Sequence, residues 1–235
     1  MISDIHGNLA ALETVLGALD TDAVWCLGDL VGYGAKPNEC CALVRERATV
    51  CLAGNHDLAV RGTLDLSEFS GDAGIAARWT QGVIDQRWLD YLKSLEPAGG
   101  ADGISLYHGS ARDPVWEYVL SDEAALATIE LAPNPVSLVG HSHIALQVAL
   151  RESTLAGGLA PAGTRIELAD ARRVLNPGSV GQPRDGDPRA AYLVLDLDAR
   201  TAAFERVEYD VERTQAEIRT AGLPEVLAAR LAFGQ

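Results

Sequence analysis

Short apolar runs that end in a glycine and then an acid or a histidine recur along this chain, and they limit the folds open to it. Ala23 to Leu27 leads into Gly28-Asp29, and Thr49 to Ala53 into Gly54-Asn55-His56-Asp57. Gly103 to Tyr107 leads into His108-Gly109-Ser110, and Val136 to Val139 into Gly140-His141-Ser142-His143. The opening, Met1-Ile2-Ser3 before Asp4-Ile5-His6-Gly7-Asn8, has the same form. Apolar runs this short, closed by turn residues, read as buried strands. Helical patterns separate them. Asn8 is a good N-cap for Leu9 to Leu19, and Pro37 suits the first turn of a helix to about Arg47. Strand, polar tip, helix, strand is the rhythm of an α/β sheet with its site beyond the strand C-terminal ends.

The pattern from about Ser67 to Leu95 is helical, with a break near Gly82. Trp79, Ile84, Trp88, Leu89, Leu92 and Leu95 are expected on its buried faces. Ser121 should cap a helix through Leu131, ended by Pro133 and Pro135. After His143 the texture changes. Ile144 to Leu150, Thr164 to Leu168, Arg172 to Leu175, Ala190 to Leu197 and Ala202 to Tyr209 read as short strands of a second, mostly antiparallel sheet. From about Val211 to Phe233 the chain reads as helix broken near Gly222-Leu223-Pro224. At 235 residues, with no repeat or long linker, a single domain over 1–235 is expected.

A net charge of −14 argues against wide contact with long nucleic acid, which runs on clustered Lys and Arg. Bound divalent cations could offset part of it. No apolar run approaches the ~20 residues of a membrane span, and no secretory leader is visible, so a cytoplasmic location is expected. Cys26, Cys40, Cys41 and Cys51 show no CxxC spacing and read as reduced thiols rather than metal ligands.

The five histidines, His6, His56, His108, His141 and His143, all lie beside glycine-containing turns at predicted strand ends. Asp4, Asp29 and Asn55 lie at strand ends too. Asp4 and His6, two apart on an extended end, would project the same way. The chemistry that wants such a set is two-metal hydrolysis, in which two divalent ions clamp a phosphoryl group and activate water at neutral pH. Mixed N/O donors without thiolate suit Mn, Fe, Zn or Co.

Taken in order, Asp4-x-His6, Gly28-Asp29, Gly54-Asn55-His56-Asp57, Tyr107-His108-Gly109 and Gly140-His141-Ser142-His143 closely resemble the calcineurin-like metallophosphoesterases. Asn176-Pro177-Gly178-Ser179-Val180-Gly181-Gln182-Pro183-Arg184 resembles a block of that superfamily's small prokaryotic, phosphodiesterase-like members. The resemblance implies a four-layer α-β-β-α sandwich of two mixed sheets flanked by helices. It implies that Asp4, His6 and His143 hold one metal, that Asn55, His108 and His141 hold a second, and that Asp29 bridges them. By the same resemblance His56 faces the substrate, to stabilise phosphate charge or protonate the leaving oxygen, and Asp57 could orient it. Only three residues precede Asp4, so a short first strand could loosen the first metal group, or the true start lies upstream.

Other residues have two readings. Arg184 follows a Gly- and Pro-rich turn and is either a phosphate contact or a solvated loop arginine. Asn176 and Ser179 read as turn-formers. The segment from Ser110 to Tyr118 follows His108. Arg112 there could contact substrate and Trp116 or Tyr118 could stack a base, or the aromatics close over the core. Gly32-Tyr33-Gly34 could line the pocket. The implied activity is that of a phosphodiesterase cleaving a small or nucleotide-like diester with a metal-held hydroxide. A dinucleoside polyphosphate hydrolase or a phosphomonoesterase, including a protein phosphatase, comes next. A non-catalytic scaffold of the same fold is disfavoured because every ligand position is filled.

Overall fold

Local capping chemistry starts several of the helices. The Asn8 side chain accepts a hydrogen bond from the Ala11 amide, and Ser121 does the same for Ala124. In the computed structural model, which describes residues 1–69 and 71–235, the first part of the chain alternates as expected. It runs α1 (Leu9–Ala18), β1 (Trp25–Cys26), α2 (Pro37–Arg47), β2 (Val50–Cys51) and α3 (Asn55–Val60). α4 (Gly71–Val83) and α5 (Gln86–Lys93) precede a hairpin of β3 (Ala98–Ala101) and β4 (Ile104–Tyr107). α6 (Asp122–Leu131) and β5 (Val136–Leu138) follow. Then come β6 (Ala145–Arg151), β7 (Thr154–Leu159), β8 (Arg165–Glu167), β9 (Arg172–Pro177), β10 (Ala190–Asp196) and β11 (Thr201–Val207). α7 (Val211–Thr220) and α8 (Glu225–Ala229) end the chain with a 3₁₀ turn, Arg230–Phe233.

β1 and β2 pair in parallel, and Ile2 bridges Cys26 in the same sense. Met1 exchanges hydrogen bonds with Leu193, its amine donating to the Leu193 carbonyl and the Leu193 amide to the Met1 carbonyl. This joins the short parallel strands to the antiparallel set β10-β11-β8. The other sheet has six strands in the order β3-β4-β5-β9-β6-β7, with β4, β5 and β9 parallel and the remainder antiparallel.

The strands after His143 therefore do not form a sheet of their own. β6, β7 and β9 complete one sheet, and β8, β10 and β11 the other. Strand texture reports half-burial and not the partner, so the division is invisible until pairing is seen.

The four-layer arrangement follows from which faces are apolar. Leu27, Leu193 and Phe204 from the first sheet meet Leu106, Leu138 and Leu175 from the second, all buried. α1 and α2 cover the outer side of the first sheet through Leu12, Val15, Cys40 and Val44. α6 covers the second through Ala125 and Ile129. The four cysteines are free thiols, three buried and Cys51 half-buried. A separate cluster joins Ala76 of α4 to Ile218, Leu223, Leu227 and Leu231 of the C-terminal segment, with Trp79 half-buried against it. The break expected near Gly82 falls at Ile84 and Asp85. Ser70, inside that helical stretch, lies outside the described residues.

Candidate metal centre

The turn after Ile2 is stitched to the turn after β1. The Asp4 amide donates to the Gly28 carbonyl, those of Ile5 and His6 to Asp29, and that of Gly7 to Leu30. Asp4 and His6 both have φ above zero, at 55° and 51°, so a left-handed turn and not strand alternation brings them together. Asp29 (55°), His141 (64°) and His143 (60°) share this conformation, which Asp and His tolerate better than other side chains. The short first strand does not leave Asp4 loose. Its carbonyl accepts from the Ser179 hydroxyl and the Gly181 amide, and its carboxylate from the His141 amide. The turn-formers also act at long range, because the Asn176 side-chain amide donates to Gly140 O and Ser142 Oγ.

Two groups of donor atoms result, both buried. Asp4, His6, Asp29 and His143 offer ligand atoms within 4.8 Å of one another, and so do Asp29, His108 and His141. Asp29 belongs to both. Asn55 Oδ1 lies 3.3 Å from His108 Nε2, which places Asn55 with the second group. Gly54 makes room for the Asp29 carboxylate, since a Cβ there would stand 2.0 Å from Asp29 Oδ1.

The donors fit divalent cations. His6, His108 and His143 each direct Nδ1 at a backbone carbonyl, of Val31, Leu27 and Gln182 respectively. Those Nδ1 atoms are the donors, so Nε2 of His6 and His143 offers its lone pair to the centre, and Nε2 of His108 can do so once its proton is displaced. His141 is turned the other way, with Nε2 on the Trp116 carbonyl. The Nε2 atoms of His6 and His143 stand 3.0 Å apart, lone pair against lone pair, a contact that a shared cation relieves. Asp29 Oδ2 lies 3.5 Å from Nε2 of both His6 and His108 and has no hydrogen-bond partner among the described residues. This orphaned buried carboxylate oxygen between two imidazoles is placed where one carboxylate could serve both groups.

The electrostatics agree. Burial pushes Asp4 up to about 7. At Asp29 burial works upward, but the surrounding imidazoles, the charge of His108 foremost, outweigh it and hold the carboxyl well below its usual range. At His108 burial works downward, yet Asp29 lifts it to about 9. Burial drives His6 and His143 well below the ordinary imidazole range and His141 to about 3, so all three present neutral nitrogens.

His56, Asn55 and Arg184 line a cavity of about 200 Å³ above these groups, with Tyr33, Phe69, Trp116 and Tyr118 as its aromatic walls. The His56 ring is buried, with Nδ1 unpartnered among the described residues. Arg184 donates to Gln182 Oε1 and Tyr33 Oη, and its Nε has no partner among the described residues. Tyr118 stacks on His141 with ring centroids 4.1 Å apart and planes 7° from parallel. Trp116 and Tyr118 thus line the cavity and do not close over the core.

Two expectations are corrected. Arg112 does not line the cavity, because Glu117 and Glu123 engage its guanidinium at the surface. Asp57 does not orient the His56 ring. Its carboxylate accepts from the amides of Leu30, Val31 and Gly54, tying together the turns after β1 and β2. Phe69 and Glu68 also line the cavity, and nothing in the sequence marked them, since both sit in the stretch read as helix.

Residues 1–200 match the calcineurin-like phosphoesterase superfamily domain. The chain belongs to that superfamily. The crystal structure of a metallophosphoesterase from Sphaerobacter thermophilus is similar, with a TM-score of 0.90 and 44% identity over 100% of this chain and 97% of that one. An uncharacterized protein of Methanocaldococcus jannaschii is 37% identical over 243 residues, covering 100% of this chain and 97% of its own length. The crystal structure of a hypothetical protein from Pyrococcus horikoshii OT3 shares the fold at a TM-score of 0.80 with 20% identity, covering 100% of this chain and 97% of that one. The matched residues hold both donor groups and every strand but β11, and β11, α7 and α8 lie beyond them.

Proposed function

We propose that the protein is a metal-dependent phosphoesterase, and specifically a phosphodiesterase acting on a small or nucleotide-like diester. The observation that carries this reading is Asp29, one carboxylate shared by two buried donor groups with an oxygen orphaned between two imidazoles. Asp4, His6 and His143 would hold one ion, Asn55, His108 and His141 the other, with Asp29 common to both. The N/O donor set suits Mn, Fe, Zn or Co. Two such ions, when bound, supply charge to offset a phosphoryl group and activate water for attack at phosphorus.

The chain's own residues do the rest. Burial holds His56 down to about 4, so it is neutral and can donate one hydrogen bond to a phosphoryl oxygen. A phosphoryl anion beside it favours the imidazolium, which is the form that protonates a leaving oxygen. Arg184 has no carboxylate partner among the described residues, so its charge is free to meet a non-bridging oxygen. Trp116 and Phe69, tilted 55° to one another, and Tyr118, stacked on His141, give the cavity aromatic faces against which a base can pack.

The test compares a chromogenic phosphodiester with the matching monoester, using protein stripped of metal and reloaded with manganese, and Asp29→Ala as control. Faster diester cleavage that vanishes in the control supports the reading. Monoester preference moves the activity to the phosphomonoesterases, and metal-loaded protein inert on both refutes general phosphoesterase activity.

A further inference from the structure

Tyr33 holds a backbone conformation that bulky side chains rarely adopt, with φ at 55°. What that conformation achieves is visible in the ring's surroundings. Its centroid lies 4.7 Å from that of His6 and 4.5 Å from that of His56, so it touches a candidate ligand and the candidate acid at once. Gly32 beside it has φ at 90°, and a Cβ there would stand 2.3 Å from His56 Nδ1. The phenol oxygen accepts a hydrogen bond from Arg184, whose guanidinium carbon lies 5.7 Å from the ring centroid. Accepting from Arg184 leaves the hydroxyl's own proton for another acceptor, and among the described residues none takes it. Tyr33 and Arg184 both line the cavity.

The outer side of the ring packs against the C-terminal segment. Tyr33 adjoins the cluster of Ile218, Leu227 and Leu231, and the same segment is pinned to the His6 turn by Thr214 Oγ1, 2.8 Å from Asn8 Oδ1. These residues lie beyond the matched superfamily domain.

We propose that Tyr33 is a substrate-binding, specificity-determining residue: with Arg184 it forms a phenol–guanidinium clamp on a phosphoryl oxygen, and the helices after residue 210 hold it in position. The clamp rests on the phosphoesterase reading. It favours substrates that present a free non-bridging oxygen on the Arg184 side of the phosphorus.

The experiment titrates inorganic phosphate into the manganese-loaded full chain by calorimetry, for wild type, Tyr33→Phe, Leu231→Ala and the double variant. Tyr33→Phe keeps the ring and its packing, so its metal content should equal wild type. Loss of a hydrogen bond to a charged acceptor should weaken phosphate by about ten-fold or more. In turnover of the diester the loss should fall on KM, with kcat held within about three-fold. Leu231→Ala should weaken phosphate in the same direction, and the double variant should be no weaker than Tyr33→Phe alone. Phosphate affinity unchanged in Tyr33→Phe overturns the clamp and leaves the phosphoesterase reading standing. Additive losses in the double variant overturn the role of the C-terminal helices. Wild type that takes up metal yet binds no phosphate overturns the phosphoesterase reading, and the clamp with it.

Discussion

Asp29 touches both donor groups with a single carboxylate, so its charge cannot be replaced by shape. Asp29→Asn keeps the outline and removes the charge. Uptake should fall from two ions per chain to one or none, read by elemental analysis. Activity should drop by more than about 100-fold, beyond the 10–100-fold typical of groups that only orient a ligand. Protons compete for the same centre. Burial sets Asp4 at about 7, and at His108 the charge of Asp29 overcomes burial to reach about 9. Near neutral pH the metal-free centre therefore carries protons that an ion must displace, and metal affinity should rise with pH between about 6 and 9. Titrations at pH 7 in buffers of different ionisation enthalpy should show net proton release on metal binding. Zero release would contradict these protonation states.

Among the elements, those with local causes were legible in sequence. α2 begins and ends where Pro37 and the run to Arg47 predict, and α6 follows Ser121 as its cap predicts. β3 and β7 were not legible, because Gly99, Gly100, Gly157 and Gly158 remove the apolar alternation that marks a strand. The residues brought together at the centre could be named beforehand, since strand ends concentrate polar tips whatever the pairing. Asp57 was misjudged because its partners are backbone amides, which leave no trace in a sequence. That correction is testable. Asp57→Ala would leave the amides of Leu30, Val31 and Gly54 without their buried acceptor, at roughly 1–3 kcal/mol each where water does not reach. Urea denaturation should show a loss of about 3 kcal/mol or more, with partial rescue by Asp57→Asn. A residue that merely oriented His56 would leave stability unchanged.

The whole molecule depends on two sheets closing over a shared apolar layer, and Phe204, 1% exposed, is the largest of the fully buried side chains in it. Phe204→Ala should cost roughly 3–5 kcal/mol by urea denaturation at fixed metal concentration. Among the described residues no helix is long and apolar enough to cross a membrane. The left-handed backbone at Asp4, His6, Asp29, His141 and His143 also works at this scale, as a filter on mutation. Positions of that conformation accept Asp, Asn, His or Gly at small cost and penalise most other residues, branched ones above all. Three of those four tolerated residues are themselves metal ligands. Selection for folding alone, with no demand for activity, would therefore keep returning donors to these five places, and a library of randomised variants screened only for stability should emerge enriched in metal binders.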